Sequence, residues 1–230
     1  MDKLESYLEK KGKISNSGGK LLRDAAYERL KDGLQNAELK PGDPLSEPRI
    51  AKALGISRTP IRAALQLLSQ EGLLEVIPGR AILVATPSSK QMIEAIEIRL
   101  LIEPELIKLA TPSISEADLA ELVRLTACME EAARAGERAE WSKHDTQWHA
   151  LMHQACPNAL LGELLSLTRN RLFKLNAVDT SSDDYLLAGT LEHKAIVDAM
   201  LERDAEKVEA LTHSHLLSLM KDTKKRLGFS

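Results

Sequence analysis

Residues 41–84 read PGDPLSEPRIAKALGISRTPIRAALQLLSQEGLLEVIPGRAILV, and this stretch decides the fold. Its first part predicts a short helix over residues 48–54, which Gly55 ends because glycine readily adopts the left-handed conformation. Ser57 predicts the N-cap of a second helix, in which Pro60 is tolerated because it lies in the first turn. Two helices joined by Gly-Ile-Ser indicate a helix-turn-helix.

The second helix has an apolar face and an exposed polar end. Its apolar residues recur at helical spacing and are expected in the core: Ile61, Ala64, Leu65 and Leu68. This leaves Arg58, Thr59 and Arg62 at the exposed N-terminal end, the part of a recognition helix that meets base edges in the major groove. Arg can bind guanine through two hydrogen bonds, and Thr can contact a thymine methyl group or a phosphate.

Two short apolar runs follow, residues 73–76 and 82–85, separated by Pro78, Gly79 and Arg80. They predict two strands of a β-ribbon wing whose tip places Arg80 near the minor groove or a phosphate. The alternative is an ordinary helical hairpin with solvated arginines.

These segments resemble a known family. LKPGDPLSE, then LGISRTPIRAALQLLSQEGLL, then a Pro-Gly-Arg hairpin are similar to the DNA-binding domain of GntR-family transcriptional regulators. The resemblance implies that Arg58 and Arg62 are the main DNA contacts, with Thr59 and the wing beside them.

The chain departs from the pattern of that family at three positions. Ala63 stands where Glu usually follows the recognition Arg, and Ala81 stands where Gly usually follows the wing Arg. Pro48 occupies a position where a basic residue often touches the DNA backbone, and the neighbouring Arg49 is expected to make that contact instead.

Composition and charge are consistent with a two-domain helical protein that contacts DNA at one end. The 230 residues are 43% hydrophobic and only 3% aromatic, which favours aliphatic packing of helices. Residues 1–87 carry 14 Lys or Arg against 11 Asp or Glu, whereas the remainder carries 17 against 23. The half with the recognition helix is therefore the basic half.

Two cysteines without a pairing motif, Cys128 and Cys156, indicate reduced thiols and hence a cytoplasmic protein. The first residues are charged and contain no apolar run, and no segment approaches the length of a membrane span.

Breaks in the pattern predict four segments: a flexible N-terminal extension (1–19), a winged helix-turn-helix domain (20–86), a linker (87–89) and an all-helical domain (90–226). The last segment predicts an antiparallel bundle of six helices, with almost no strand signal. The expected helices cover 90–110, 115–135, 137–155, 158–176, 184–201 and 204–226.

The predicted bundle points polar residues inward from several helices. Asp145 and His149 are four residues apart on one face, and His193 and His215 lie on the apolar stripes of two further helices. Unpaired buried polar groups are costly, so these four residues suggest a divalent metal, with zinc first and nickel, manganese or iron as alternatives. The alternative is that each His is a hydrogen-bonded core residue.

A second resemblance covers this part of the chain. EIRLLIEPELIKLA, HDTQWHALMHQACPNALL and LEHKAIVDAMLERDAEKVEALTHSHL are similar to the FCD effector domain of one GntR branch. The resemblance implies that the metal ligands are Asp145, His149, His193 and His215.

The same resemblance implies a pocket above the metal that binds a small organic acid, whose carboxylate pairs with Arg99. Arg169, Arg171 and Asn176 are expected to reach the same pocket. The alternative for Arg99 is a structural ion pair with Glu103.

The preferred function is a dimeric transcriptional regulator, by default a repressor, that binds a palindromic operator and responds to a small carboxylate. Two alternatives remain open from the sequence. One is a metal-dependent hydrolase, and the other is a DNA-binding regulator with a purely structural metal and no effector.

Overall fold

The computed structural model describes residues 3–14, 21–37, 39–172 and 183–228. The chain divides into two compact units, Met1–Thr86 and Pro87–Ser230. The N-terminal unit contains α1 (Lys3–Lys10), α2 (Leu22–Asn36), β1 (Pro44–Leu45), α3 (Glu47–Leu54), α4 (Arg58–Gln70), β2 (Leu74–Ile77) and β3 (Ala81–Val84). The C-terminal unit contains α5 (Ser89–Ala110), α6 (Glu116–Ala135), α7 (Arg138–Ala155), α8 (Ala159–Leu172), α9 (Asp183–Leu201) and α10 (Ala205–Arg226).

The N-terminal unit is a winged helix-turn-helix. α3 ends at Gly55, whose φ of 70° is left-handed, and its N–H bonds back to the last turn of the helix. Ser57 stands at the N-cap position of α4, but its side chain makes no capping hydrogen bond, contrary to the expectation from sequence. Buried apolar residues of α2, α3 and α4 form the core of this unit: Ala26, Leu30, Leu34, Ile50, Leu54, Ile61, Leu65 and Leu68.

The wing is a three-stranded antiparallel sheet in the order β1-β3-β2. β2 and β3 pair from Leu74 with Val84 to Ile77 with Ala81, so the tip has three residues, in which Gly79 adopts a φ of 69°. β1 was not expected, because two residues that begin with a proline give no strand pattern.

The flexible extension predicted for residues 1–19 is wrong for its first part. Lys3–Lys10 form α1, and Leu4 and Leu8 are fully buried where this helix packs against α2 and α3. Gly33 of α2 permits the close approach, since a Cβ at this position would lie 2.6 Å from Leu4 Cδ1. The fold of residues 15–20 lies outside the described residues.

The C-terminal unit is a bundle whose six helices in the described part match the six expected ones within two residues at each described end. The mainly α fold, a winged helix-turn-helix followed by a helical bundle, is therefore confirmed. Residues 173–176, the predicted end of α8, lie outside the described residues. Trp148, Met152, Ile196, Met200 and Val208 are among the fully buried residues around which the bundle packs. None of the described helices has the length and apolar character that crossing a membrane requires.

Candidate functional site

The residues predicted to recognise DNA lie together on the outer surface of the helix-turn-helix. Arg58 and Thr59 begin α4, Arg62 follows one turn later, and all three are exposed. They are exposed because Ile61, Ala64, Leu65 and Leu68 take the opposite, buried face of the helix. This end of α4 therefore presents two guanidinium groups and a hydroxyl to a partner.

Glu47, which is not among the residues predicted to contact DNA, holds both arginines. Its carboxylate accepts hydrogen bonds from Arg58 Nε at 2.7 Å, from Arg62 Nε at 3.1 Å and from Arg62 Nη2 at 3.0 Å. The hydrogen bonds from Arg62, aided by Arg58, lower the pKa of Glu47 although partial burial opposes this. The family usually has Glu at the position of Ala63, directly after Arg62. In this chain Glu47, at the start of α3, holds the guanidinium group of Arg62 instead.

The other two expected DNA contacts are also exposed. Arg49 lies on the outer face of α3, and Arg80 lies at the tip of the wing, where its backbone N–H donates to Ile77 O at 3.0 Å. All five predicted DNA-binding residues are thus at the surface of the N-terminal unit.

In the C-terminal unit, three of the four predicted metal ligands converge. Asp145 and His149 of α7 and His193 of α9 are buried, with exposed fractions of 5%, 2% and 2%. His193 Nε2 lies 3.1 Å from His149 Nε2 and 3.5 Å from Asp145 Oδ1, and His149 Nε2 lies 3.4 Å from the same oxygen. These three atoms form a nearly equilateral triangle.

His215 of α10 stands beside this triangle. The centroid of its ring is 4.5 Å from that of the His193 ring. His215 does not contribute to the group of possible ligand atoms that all lie within 4.8 Å of one another. The Trp148 ring packs edge-to-face with the rings of His149 and His193, with ring centroids 4.8 and 4.7 Å apart. The fully buried indole therefore serves as packing that orients the two imidazoles.

The Nδ1 atom of each imidazole faces an oxygen. His193 Nδ1 lies 2.7 Å from Gly189 O, and His215 Nδ1 lies 2.7 Å from Glu192 Oε2. His149 Nδ1 lies 3.2 Å from Glu103 Oε1. A carbonyl oxygen accepts hydrogen bonds only, and a carboxylate favours the same arrangement. The hydrogen bonds of His193 and His215 assign the proton to Nδ1 in these two rings and leave their Nε2 lone pairs available. His149 Nδ1 lies near the carboxylate of Glu103 without a well-aligned hydrogen bond.

Charges in the bundle are balanced by two arginines. Arg169 Nη2 donates to Asp145 Oδ2 at 2.8 Å, which leaves Oδ1 facing the imidazoles. Burial alone would raise the pKa of Asp145, but Arg169 and then His149 outweigh burial and hold this pKa well below its usual range. Burial, with His215 and His149 nearby, lowers the pKa of His193, so this ring is neutral.

Arg99 forms the ion pair that the sequence left as its alternative role. Its Nε and Nη2 atoms donate to Glu103 at 2.6 and 3.1 Å, and both side chains are almost fully buried. Burial opposes ionisation of Glu103, yet Arg99 and His149 keep its pKa well below its usual value. Glu103 is therefore an anion that links Arg99 to the ring of His149.

A second group of possible ligands shares His149. Glu103, His149 and His153 each offer one atom within 4.8 Å of the others. His153, which is not among the predicted ligands, is buried, with Nδ1 2.9 Å from Ser166 Oγ. Its position one turn after His149 on α7 was the available signal. The predicted effector residues Arg171, through its side chain, and Asn176 lie outside the described residues.

A winged helix-turn-helix joined to a helical bundle with buried Asp and His residues defines a two-domain DNA-binding regulator. The family model described as bacterial regulatory proteins, gntR family, matches residues 22–84, and the FCD domain model matches residues 94–218. The chain belongs to the GntR family of transcriptional regulators, and its C-terminal unit is an FCD domain.

Similar full-length proteins are regulators too. The chain is 32% identical over 182 residues to a probable D-xylose utilization operon transcriptional repressor of Paenarthrobacter nicotinovorans, covering 78% of this chain and 79% of that protein. It is 26% identical over 193 residues to the HTH-type transcriptional repressor RspR of Escherichia coli, covering 83% of each. The family and these relatives are regulators rather than enzymes, so the hydrolase alternative has no support.

Solved structures share the fold. Escherichia coli McbR/YncC matches with a TM-score of 0.79 and 22% identity over 90% of this chain and 99% of that chain. The metal-free FCD domain of TM0439, a putative transcriptional regulator, matches with a TM-score of 0.52 and 20% identity over 63% of this chain and 99% of that chain.

Proposed function

We propose that this GntR regulator is a homodimeric repressor whose affinity for a palindromic operator is controlled by a small organic acid bound over a metal ion in the FCD domain. The single observation that carries the metal part is the convergence of Asp145 Oδ1, His149 Nε2 and His193 Nε2. The DNA part rests on the exposed Arg58, Thr59 and Arg62 at the start of α4.

The donor set fits a divalent transition metal. Ligand atoms held tetrahedrally at about 2.1 Å from one zinc ion lie about 3.4 Å from each other, and the observed edges are 3.1, 3.4 and 3.5 Å. Two imidazole lone pairs and a carboxylate oxygen repel each other at this range unless a proton or a cation lies between them. Zinc suits this mixture of nitrogen and oxygen, and nickel, manganese and iron accept it too.

The fourth ligand in this proposal is His215. Its Nδ1 is bonded to Glu192, which leaves Nε2 as the ligand atom, and its ring lies against that of His193. The carbonyl and carboxylate partners of His193 Nδ1 and His215 Nδ1 orient these two rings and make them more basic, as is usual behind a metal-bound His. When bound, the metal supplies a positive charge, and a carboxylate ligand can complete its coordination.

Metal content tests this assignment. The purified protein is expected to contain about one divalent ion per chain by elemental analysis, and His193→Ala or His215→Ala is expected to lose it. His213→Ala is the matched control, since His213 is exposed on the same helix as His215. Full occupancy in the His193→Ala variant would show that the site is wrongly assigned.

The effector part of the proposal rests on charge. Arg99 and Arg169 neutralise Glu103 and Asp145, respectively, and an imidazole binds a metal ion as a neutral ligand. A bound divalent ion therefore leaves a net positive centre among buried groups. A small carboxylate compensates that charge, and its differential binding to two arrangements of the bundle would change operator affinity reciprocally.

Sequencing of genomic fragments captured by the metal-loaded protein would supply the operator, and fluorescence anisotropy with that duplex would then screen small carboxylates. A carboxylate that releases the operator from the wild-type protein, and not from the His193→Ala variant, supports the proposal. If metal raises the melting temperature while no carboxylate changes operator affinity, the metal is purely structural. The protein is then the DNA-binding regulator without an effector that the sequence left as an alternative.

The homodimer has a candidate surface in the C-terminal unit. We define the apolar face as Ile98 and Leu101 of α5 with Leu160, Leu164 and Leu167 of α8, two helices that pack side by side. These residues have exposed fractions of 42% to 79%. Exposed apolar surface of this kind marks interaction sites, and a second copy is the occupant that a palindromic operator requires.

A further inference from the structure

Residues 3–14 belong to the DNA-binding unit but lie outside the match to the GntR family, which begins at residue 22. α1 packs against α2 and α3, and its Leu4 and Leu8 are fully buried. This segment is therefore an addition to the helix-turn-helix that is held in place by apolar packing.

The segment continues from α1 to the turn between α3 and α4. The N–H of Ile14 donates to Leu54 O, the last residue of α3, at 2.9 Å. Arg29 of α2 donates to the carbonyl oxygens of Lys11 and Gly12 at 2.8 and 2.9 Å. Residues 11–14 are thus fastened to the helix-turn-helix at both ends.

Lys13 lies directly over Gly55 in that turn. A Cβ added to Gly55 would lie 3.2, 3.0 and 2.8 Å from Cβ, Cγ and Cδ of Lys13, respectively. The aliphatic stem of Lys13 therefore covers the turn, three positions before the first residue of the recognition helix, Arg58.

Lys13 extends a row of cations along α3. Arg49 and Lys52 are exposed and three residues apart, and Gly55 follows after three more, so the three positions share one side of the helix. Glycine has no side chain, so the ammonium group of Lys13 provides the positive charge at the Gly55 position of this row. Within the described part of the chain, Lys13 and Lys52 have no acidic side chain at ion-pair distance.

We propose that Lys13 and Lys52 continue the row begun by Arg49 as a phosphate-binding ridge, so that residues 3–14 enlarge the DNA interface beyond the family's core domain. The first helix of a helix-turn-helix crosses the DNA backbone, which is where such a ridge meets phosphates. Lysines on phosphates strengthen binding through counterion release and carry no base preference. The inference rests on the proposed placement of the recognition helix.

The test is the salt dependence of DNA binding by the full chain, measured by fluorescence anisotropy with the captured operator duplex and with an unrelated duplex of equal length. Lys13→Met keeps the aliphatic stem over Gly55 and removes the charge. It is expected to reduce the slope of log K against log salt by about 1.8 on both duplexes, which is about 0.9 for each chain of the bound dimer. The Lys13→Met, Lys52→Met double variant reduces it by about 3.6.

Controls separate this inference from the proposed function. Lys13→Arg retains the wild-type slope, and so does Lys221→Met, which removes an exposed charge from α10. Arg58→Ala instead removes the preference for the operator, whereas Lys13→Met leaves that preference unchanged. A wild-type slope for Lys13→Met overturns the ridge, and an undiminished operator preference for Arg58→Ala overturns the placement of the recognition helix.

Discussion

At the scale of single residues, Glu47 determines how the two arginines proposed to recognise DNA are presented. It lies between Arg58 and Arg62, is only 12% exposed in its side chain, and binds both guanidinium groups. A guanidinium held on one side keeps its remaining N–H donors directed outward, which reduces the conformational freedom lost on binding a base.

We predict that Glu47→Gln lowers the ratio of operator affinity to affinity for unrelated DNA by about fivefold, or about 1 kcal/mol, because each bidentate contact gives about 1–3 kcal/mol of discrimination. Affinity for unrelated DNA rises at the same time, since one negative charge is lost near phosphates. Anisotropy with both duplexes measures the ratio. Glu75→Gln, an exposed acid of β2, makes the same charge change. An equal ratio in the two variants would contradict the role of Glu47.

A second residue-scale prediction concerns pH. Burial lowers the pKa of His153 to about 3, although Glu103 opposes the shift. An unfolded His has a pKa of about 6.5, so below that pH the unfolded chain binds a proton that the folded chain does not. The C-terminal unit is therefore expected to lose stability as pH falls below about 6.5, by up to about 1.4 kcal/mol per pH unit from this residue.

Urea unfolding of metal-stripped protein between about pH 7 and pH 5 checks this expectation. Trp141 and Trp148 are the two tryptophans of the chain and both lie in the C-terminal unit, so their fluorescence reports this unit alone. His153→Gln is expected to show a shallower loss of stability on acidification, whereas His213→Gln keeps the wild-type dependence. The same pH dependence in both variants would show that His153 is not the group responsible.

At the scale of elements, two buried leucines are expected to hold α1 on the rest of the N-terminal unit. Leu8 is fully buried against the helix-turn-helix, and Leu→Ala at such sites costs about 2–5 kcal/mol. We predict that Leu8→Ala speeds hydrogen exchange in residues 3–14, including the N–H of Ile14 that bonds to Leu54, and lowers the melting temperature of the N-terminal unit. Leu21→Ala, in the same unit but 65% exposed, is the control. Equal exchange in the two variants would mean that α1 is not held by this packing.

The elements that the sequence predicted well are those with long apolar periods. α5 to α10 span several turns each, so their apolar stripes and the breaks between them identify each helix. α1 was missed because Leu4 and Leu8 are only one pair in a charged segment, and the surface that orders them belongs to α2 and α3. Tertiary packing rather than local pattern determines that helix.

The candidate site likewise has features that could be predicted from the sequence and features that could not. The four-residue spacing of Asp145 and His149 could be read from α7 alone, because an i, i+4 pair shares a helix face. Two other contacts depend on how separate helices pack: the contact of Glu103 with His149, and the hydrogen bonds that Glu47 accepts from both arginines. Sequence patterns give the face of a helix and not its neighbours, so these two contacts between helices appeared only in the structure.

At the scale of the whole molecule, the proposed function makes operator binding depend on association of two chains, for which we propose the apolar face defined above. Leu101 is 79% exposed and Leu164 is 45% exposed, and burial of such side chains stabilises an interface by about 25 cal/mol per Å². A palindrome offers two half-sites, so a chain that cannot pair would bind each half-site separately and lose the gain from linked binding.

We therefore predict that Leu101→Glu raises the dimer dissociation constant at least about tenfold, the equivalent of about 1.4 kcal/mol. Sedimentation equilibrium measures the constant, and anisotropy is expected to show weaker binding to the full operator with little change on a single half-site. Leu217→Glu is the control, because Leu217 is 50% exposed on α10 and lies outside the apolar face. If Leu217→Glu dissociates the dimer and Leu101→Glu does not, the two chains associate through a surface that includes α10 instead.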